Sequence, residues 1–355
     1  MRVAIAGTGF AASIHGRMLR ELGHEVVAVV GSNPSNTETL ARSLGARKWG
    51  HDYGIAIADC VDSVHICTPP ALHYEMARAA IENGKSVVCE KPLCFDNIEA
   101  EALFRLSAQK GVVCAVDFNV RFYESCSRAR KIIASSSFGE VLLVHGAYLQ
   151  EFHILPDGFS WRYRPELAGP MRAVTEIGSH WIDLARYLTG LEITSVFADF
   201  GAFSEKRYLS DGIMSYEGGP MSEEISVTSE DAATILFRFS NGAKGCVVVS
   251  EISHGRRNRL AIEITGRHES VWWNSESPGE LNRGRKREEI ARDLDPFSGA
   301  FADTFKSLFR EFYADVARGK ASAEPAYPTF RDGYINTRVC SAILDSSSQS
   351  RWVDV

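Results

Sequence analysis

Val3-Ala4-Ile5-Ala6-Gly7-Thr8-Gly9-Phe10-Ala11-Ala12, running on into Ile14–Leu22, is the stretch whose reading decides the fold. Four apolar residues of strand length enter a glycine turn, and a helical pattern follows at once. Gly7 lets the chain turn tightly, Gly9 lets a pyrophosphate approach the backbone, and Ala12 lets the helix pack closely on the strand. The helix start then presents free N–H groups and a partial positive charge to phosphate. Glycines in this spacing are common by chance. The preceding strand, the following helix and the repeating pattern beyond supply the required context. A dinucleotide is therefore expected here, with Gly7, Thr8, Gly9, Phe10 and Ala11 around its pyrophosphate.

Working outward, apolar runs at Val26–Val30, Ser63–Cys67, Ser86–Cys89 and Val112–Val116 alternate with helical patterns at Thr37–Leu44, Leu72–Asn83 and Ile98–Lys110. Continuous apolar strands alternating with helices predict a parallel sheet covered on both faces. The pattern changes after about residue 121. Val141–Glu151, Ile193–Ala198, Ala232–Phe239, Lys244–Ile252, Arg259–Thr265 and Ser270–Asn274 read as strands, and Asn241-Gly242 marks a hairpin. Helices are expected at Val174–Leu188, Phe301–Arg318 and Phe330–Ser346. The fold class is α/β: a doubly wound Rossmann domain over residues 1–121, then an α+β domain over 122–355 with an open, mostly antiparallel sheet.

Composition narrows the function. A chain of 355 residues with 39 basic and 45 acidic side chains, net −6, offers no field that draws nucleic acid or anionic lipid. The basic run Arg283, Arg285, Lys286, Arg287 is followed by Glu288 and Glu289 and reads as a solvated segment. The eight cysteines form no CxxC pair and no zinc spacing, so no metal is expected, and several sit in apolar strands as small hydrophobes. Free thiols, no signal-like leader and no spanning segment give a cytoplasmic expectation.

The ribose position is unusual. An acid that accepts from the 2′-hydroxyl is expected about twenty residues past the glycines. The second strand instead ends in Gly31-Ser32-Asn33-Pro34, with no acid before Glu38. Without a carboxylate to repel it, a 2′-phosphate is tolerated, and Ser32 and Asn33 offer donors. The expectation leans to NADP over NAD.

Two further segments carry chemistry. Cys89-Glu90-Lys91-Pro92 closes a strand, and in open α/β sheets ligands bind beyond the carboxyl ends of strands. Lys91 there would stabilise an oxygen gaining negative charge. On the isolated helix, Glu176, His180 and Asp183 share one face, beside a buried stripe of Ile177, Trp181, Leu184 and Leu188. An imidazole titrates near neutrality (about 6.5), as a base for alcohol oxidation should.

Together these segments resemble the glucose–fructose oxidoreductase / inositol dehydrogenase (Gfo/Idh/MocA) family over nearly the whole chain. The resemblance rests on the glycine loop, Cys67-Thr68-Pro69-Pro70 with His73, Glu90-Lys91-Pro92, Phe118-Asn119-Val120-Arg121-Phe122 and Gly178-Ser179-His180-Trp181-Ile182-Asp183. It implies that Lys91 and His180 are catalytic, with a carboxylate one turn before the histidine. Here that carboxylate is Glu176, where the family usually has Asp. It also implies that Thr68, Pro69, His73 and Glu90 line the cofactor and that Asn119 lies near nicotinamide and substrate. Within the long segment Gln150–Pro170, Trp161 and Arg162 are placed near the cofactor and Tyr163 near the substrate. The expected activity is NAD(P)-dependent hydride transfer to or from a secondary alcohol of a sugar or cyclitol, in a homodimer or homotetramer. The alternatives are a redox glycosidase with tightly held NAD and a dinucleotide-binding sensor without catalysis.

Overall fold

The computed structural model describes residues 1–154, 161–210, 212–295 and 299–355. By compactness the chain forms two units, Met1–Phe122 with Ala300–Thr337, and Tyr123–Gly299 with Arg338–Val355.

The first unit opens β1 (Arg2–Ala6), α1 (Phe10–Glu21), β2 (Glu25–Val30), α2 (Pro34–Leu44), β3 (Lys48–Gly50), β4 (Ser63–Ile66), α3 (His73–Glu82), β5 (Ser86–Cys89), α4 (Asn97–Lys110) and β6 (Cys114–Val116). Its six strands are parallel in the order β3-β2-β1-β4-β5-β6, the dinucleotide-binding arrangement. The expected strands are present, and β3, whose exposed Lys-Trp-Gly carries no apolar run, is the one the sequence reading lacks. Strands β1, β4 and β5 are buried almost throughout, which is why they read as unbroken apolar runs.

The second unit continues with α5 (Glu124–Ile133), β7 (Val141–Leu149), the short α6 (Pro165–Ala168) and α7 (Ser179–Thr189), then β8 (Ile193–Gly201), β9 (Lys206–Ser210), β10 (Ile213–Ser215), β11 (Glu223–Ser226), β12 (Ala232–Phe239), β13 (Lys244–Ser250), β14 (Arg259–Gly266), β15 (Ser270–Asn274), β16 (Glu280–Gly284) and β17 (Ala291–Leu294). Helices α8 (Phe301–Arg318) and α9 (Phe330–Gln349) and strand β18 (Val353–Asp354) end the chain. Nine strands form one sheet, β17-β16-β15-β14-β7-β13-β12-β8-β18, antiparallel except where β7 pairs β13. The alternation of buried and exposed residues along most of β12 and β13 shows one face packed and one open. Asn241-Gly242 turns the chain between them, with Gly242 at φ +90°. A small sheet, β10-β9-β11, stands apart; its short strands are rich in polar residues and gave no apolar signal.

Two differences from the sequence reading matter. A boundary at 121/122 lies one residue from the first division, but Ala300–Thr337 returns to the first unit. Helix α8 buries Phe305, Leu308, Phe309 and Phe312 against the Rossmann core, joining Val3, Ile5 and Val88. Amphipathic spacing predicts such a helix and says nothing of which sheet it covers. The second difference is local. The expected single helix Val174–Leu188 begins as a π turn over Val174–Gly178 before α7. Among the described residues, no helix is long and apolar enough to cross a membrane.

Candidate active site

In the first unit the expected residues gather along the carboxyl edge of the parallel sheet. Each strand tip is tied to its neighbour by a backbone bond. Gly7 N–H reaches Val30 O at 2.7 Å, Cys67 N–H reaches Ala6 O at 2.7 Å, Glu90 N–H reaches Ile66 O at 2.9 Å, and Asp117 N–H reaches Cys89 O at 2.8 Å. The pyrophosphate loop, Thr68, Lys91 and Asn119 therefore leave adjoining strand tips. Gly7 has φ +114°, and a Cβ there would stand 2.4 Å from Cys67 O. No other residue fits this turn. Gly9 caps α1 with no side-chain acceptor, and the first turn carries no acid, so its N–H groups stay available to an anion. This is the cradle that a dinucleotide pyrophosphate requires. Thr8 is half-buried, while Phe10 is exposed on the first turn.

The ribose turn shows a commitment invisible in sequence. Asn33 Oδ1 accepts from Asn36 N–H at 3.0 Å, so this side chain caps α2. Ser32 remains exposed beside it. Thr68 and Pro69 are half-buried. His73 is fully buried and bridges two loops: Nδ1 lies 2.8 Å from Pro92 O and Nε2 lies 2.9 Å from Thr68 O. Its burial lowers its pKa. From this place His73 holds the segment after β4 against the Lys91-Pro92 segment. Lys91 is half-buried, and its amide N–H donates to Glu90 Oε2 at 3.2 Å. Asn119 is buried, with Nδ2 donating to Thr304 Oγ1 at 2.7 Å.

In the second unit α7 is seated by close packing. A Cβ on Gly146 of β7 would stand 2.0 Å from Ala261 O and 2.8 Å from Trp181 Nε1, so only glycine lets the indole in. Trp181 then donates to Ala261 O at 3.1 Å and stacks on Phe237. Ile177, Leu184 and Leu188 are buried with it, as the stripe predicts. His180 keeps 7% exposure and Glu176 8%. A π turn is common at functional sites, and here it carries Glu176. Glu176 Oε2 accepts from Arg162 Nε at 2.9 Å, and the guanidinium lies over the Trp161 ring at 4.6 Å. Trp161 and Arg162 are thus brought to the predicted carboxylate. The rest of the long segment, 155–160, lies outside the described residues.

Tyr163 is buried, at 2% exposure. Beneath it sits an ionic cluster that the sequence reading lacks. Arg172 is wholly buried, its Nε donates to Glu251 Oε2 at 2.7 Å, and it pairs with Asp231. Its guanidinium lies 4.5 Å from the Tyr163 ring centre. The guanidinium of buried Arg207 lies over the Tyr216 ring at 3.9 Å, and its Nη2 donates to His153 O at 3.3 Å. Glu230 accepts from the backbone N–H of Arg172 and Val174 at the start of the π turn. Burial pushes Glu230 and Glu251 up to about 7.

Comparisons with known proteins agree with this architecture. Residues 1–118 match a family model described as an oxidoreductase family with an NAD-binding Rossmann fold, and residues 126–272 match the GFO/IDH/MocA C-terminal domain. Levoglucosan dehydrogenase of Pseudarthrobacter phenanthrenivorans is 30% identical over 91% of this chain and 88% of its own. A myo-inositol dehydrogenase of Streptomyces leeuwenhoekii is 26% identical over 100% and 99%. A solved levoglucosan dehydrogenase in complex with NADH and levoglucosan superposes with a TM-score of 0.90 at 28% identity, covering 100% of this chain and 99% of that one.

Proposed function

The chain belongs to the GFO/IDH/MocA family of oxidoreductases, and from that premise we propose that it oxidises a secondary alcohol of a sugar or cyclitol, or reduces the matching ketone. The observation that carries the reading is the uncapped, acid-free start of α1 behind Gly7, tied through adjoining strand tips to Lys91. A bound nicotinamide supplies the hydride acceptor. His180 takes the hydroxyl proton, and Lys91 stabilises the oxygen as it becomes an alkoxide. Glu176, held by Arg162, orients His180 or a sugar hydroxyl. Tyr163, whose ring centre is 4.5 Å from the Arg172 guanidinium, lies on the substrate side, and Asn119 offers its carboxamide oxygen near the nicotinamide.

We take the cofactor to be NAD(H). The lean toward NADP finds no support, because Asn33 is spent on capping α2 and no Arg or Lys stands in the turn. Only Ser32 and backbone N–H groups are left to meet a 2′-phosphate. Relatives solved with NADH point the same way. The open face of the large sheet carries Leu143, Leu236, Cys246 and Val248, and self-association through it gives a homodimer or homotetramer. Cysteines that form no disulfide among the described residues suit a reducing compartment such as the cytoplasm.

The test is stoichiometric. Purified protein incubated with NAD and a panel of anhydrosugars, sugars, glycosides and cyclitols should form one NADH per ketone. Release of an aglycone without net NADH would mean a redox glycosidase. Cofactor binding with no turnover on any polyol would mean a sensor.

A further inference from the structure

Beneath Lys91 lies a group of ionisable side chains to which the reaction assigns no part. His15, on the buried face of α1, has no exposure at all. Its Nε2 stands 2.8 Å from Asp117 Oδ2, just past β6, and 3.3 Å from Glu90 Oε1, just past β5. Asp117 is 1% exposed, and among the described residues neither of its oxygens meets a regular hydrogen-bond donor. Its charge is answered by the imidazole. On the other side, His15 Nδ1 lies 2.9 Å from His65 Nδ1 and 3.3 Å from Cys67 Sγ. His65 Nε2 reaches the Tyr313 hydroxyl at 2.9 Å, and that hydroxyl reaches Ser63 Oγ at 2.8 Å. Phe305 and Phe309 of α8 close the remaining sides.

Proton counting gives this chain a direction. Two imidazoles joined nitrogen to nitrogen cannot both be cations in a dry interior. Burial, with His15 alongside, drives His65 well below the usual imidazole range, so it stays neutral. Burial acts on His15 as well, but the carboxylates of Asp117 at 2.8 Å and Glu90 at 3.3 Å favour the charged ring, and the pKa of His15 is raised well above that range. The proton therefore sits on His15. Nδ1–H donates to His65, His65 Nε2–H donates to Tyr313, and the tyrosine hydroxyl donates to Ser63. The second imidazolium proton, on Nε2, faces the carboxylates of Asp117 and Glu90 as an ion pair.

We propose that His15 is a positioning residue for the hydride transfer: its buried imidazolium, clamped between Glu90 and Asp117, holds both carboxylates charged and keeps Glu90 folded onto the Lys91 amide. Lys91 then projects its ammonium from a fixed strand tip. The two cations His15 and Lys91 balance the two carboxylates. Asp117 reports on this balance. Burial pushes it up to about 6, against the pull of His15 and Lys91. Removing the imidazolium leaves two carboxylates facing one ammonium, so Asp117 takes up a proton at a higher pH. Glu90 then loses its contact with the imidazolium. This inference rests on the dehydrogenase reading, and its test has an arm that does not.

That arm is nitrogen NMR of protein labelled in its histidines. Both His15 ring nitrogens should carry protons at pH 7.5, while His65 keeps one. A neutral His15 overturns the proposal whether or not any polyol is oxidised. The kinetic arm uses His15→Gln and Asp117→Asn, with melting temperature and NAD affinity as controls. The expected acidic limb of kcat holds two protons, one on His180 and one on Asp117. His15→Gln should lower kcat about 10- to 100-fold, as slight misplacement of a reacting group does, with KM for NAD little changed. It should also move one proton of the limb upward by about one pH unit. Asp117→Asn should reduce the limb to a single proton. A folded His15→Gln protein with the wild-type profile overturns the proposal. Should that variant not fold, an unchanged two-proton limb in Asp117→Asn does so instead.

Discussion

The two units bury ions in opposite ways. In the first, His15, Glu90 and Asp117 come from neighbouring strand tips and the helix packed on them, so the parallel topology brings them together. In the second, Arg162, Arg172, Glu176, Asp231 and Glu251 come from irregular segments, a π turn and residues just outside strands β12 and β13. The first arrangement follows from secondary structure, and the second exists only once the sheet has closed. Disturbing the first should therefore cost chemistry more than stability. Disturbing the second should cost both.

The sharpest test sets one residue from each unit side by side. Lys91→Ala and His180→Ala should each lower kcat by about 10²–10⁴-fold, the range for losing a proton-transfer or charge-stabilising group. Neither should change the NAD dissociation constant much. Near-normal turnover in either variant would remove that unit from the reaction and break the comparison.

Arg172→Ala should follow in size. It leaves Glu251 and Asp231 buried without their cation, and breaking a buried pair costs about 3–5 kcal/mol. Urea unfolding of the variant measures this. A loss under about 1 kcal/mol would show that water replaces the guanidinium easily, and the second unit would be less dependent on its ions than argued.

Unfolding as a function of pH sharpens the point. The folded-state pKa of Glu230 is raised to about 7 by burial, above its unfolded value near 4.5. Its contribution is present in full below the unfolded value and fades as pH rises through about 7. About 3 kcal/mol is at stake. Glu230→Gln, which still accepts from the Arg172 and Val174 amides, should flatten that slope. An unaltered slope would assign it to other groups.

Glu176→Gln and Arg162→Ala should each lower kcat/KM by about tenfold, and the double variant should lose little more than either. If Glu176 orients His180, the kinetic pKa of the base falls in Glu176→Gln. If it holds the sugar, KM rises and the kcat profile stays in place. Full additivity of the two losses would mean that the ion pair plays no part in turnover. The smallest effect is at the ribose turn. Ser32→Asp should shift preference further toward NAD by roughly tenfold or less, about 1.4 kcal/mol. Equal dissociation constants for NADP in both proteins would place the 2′-group elsewhere.

The same contrast explains what the sequence could tell. Gly7, Gly9 and Lys91 are legible because strand ends of a parallel sheet share one edge by topology, while Glu90 and Asn119 are legible only through the family resemblance. His15 and Asp117 left a fainter trace. A histidine sits on the apolar stripe Ala12, Leu19 of α1, and an acid follows directly on the run Val112–Val116. Each is a polar group in a buried place that requires a partner. Arg172, Asp231 and Glu251 left no trace, since each is an ordinary charged residue until the chain closes. The capping role of Asn33 could have been read, because Asn-Pro before a helical pattern is a start signal. Reading it as a phosphate donor set that signal aside.

The return of Ala300–Thr337 to the first unit bears on how the protein is made. A ribosome releases Met1–Phe122 long before α8 exists, and until then the sheet face destined for Phe305, Leu308, Phe309 and Phe312 has no cover. The whole second sheet must emerge, and can mature, while the earlier domain waits half-dressed. Contacts between residues almost the length of the chain apart are also the slowest to form. The nascent Rossmann unit is therefore the natural client for a chaperone, and a gene truncated at residue 122 should give an insoluble product.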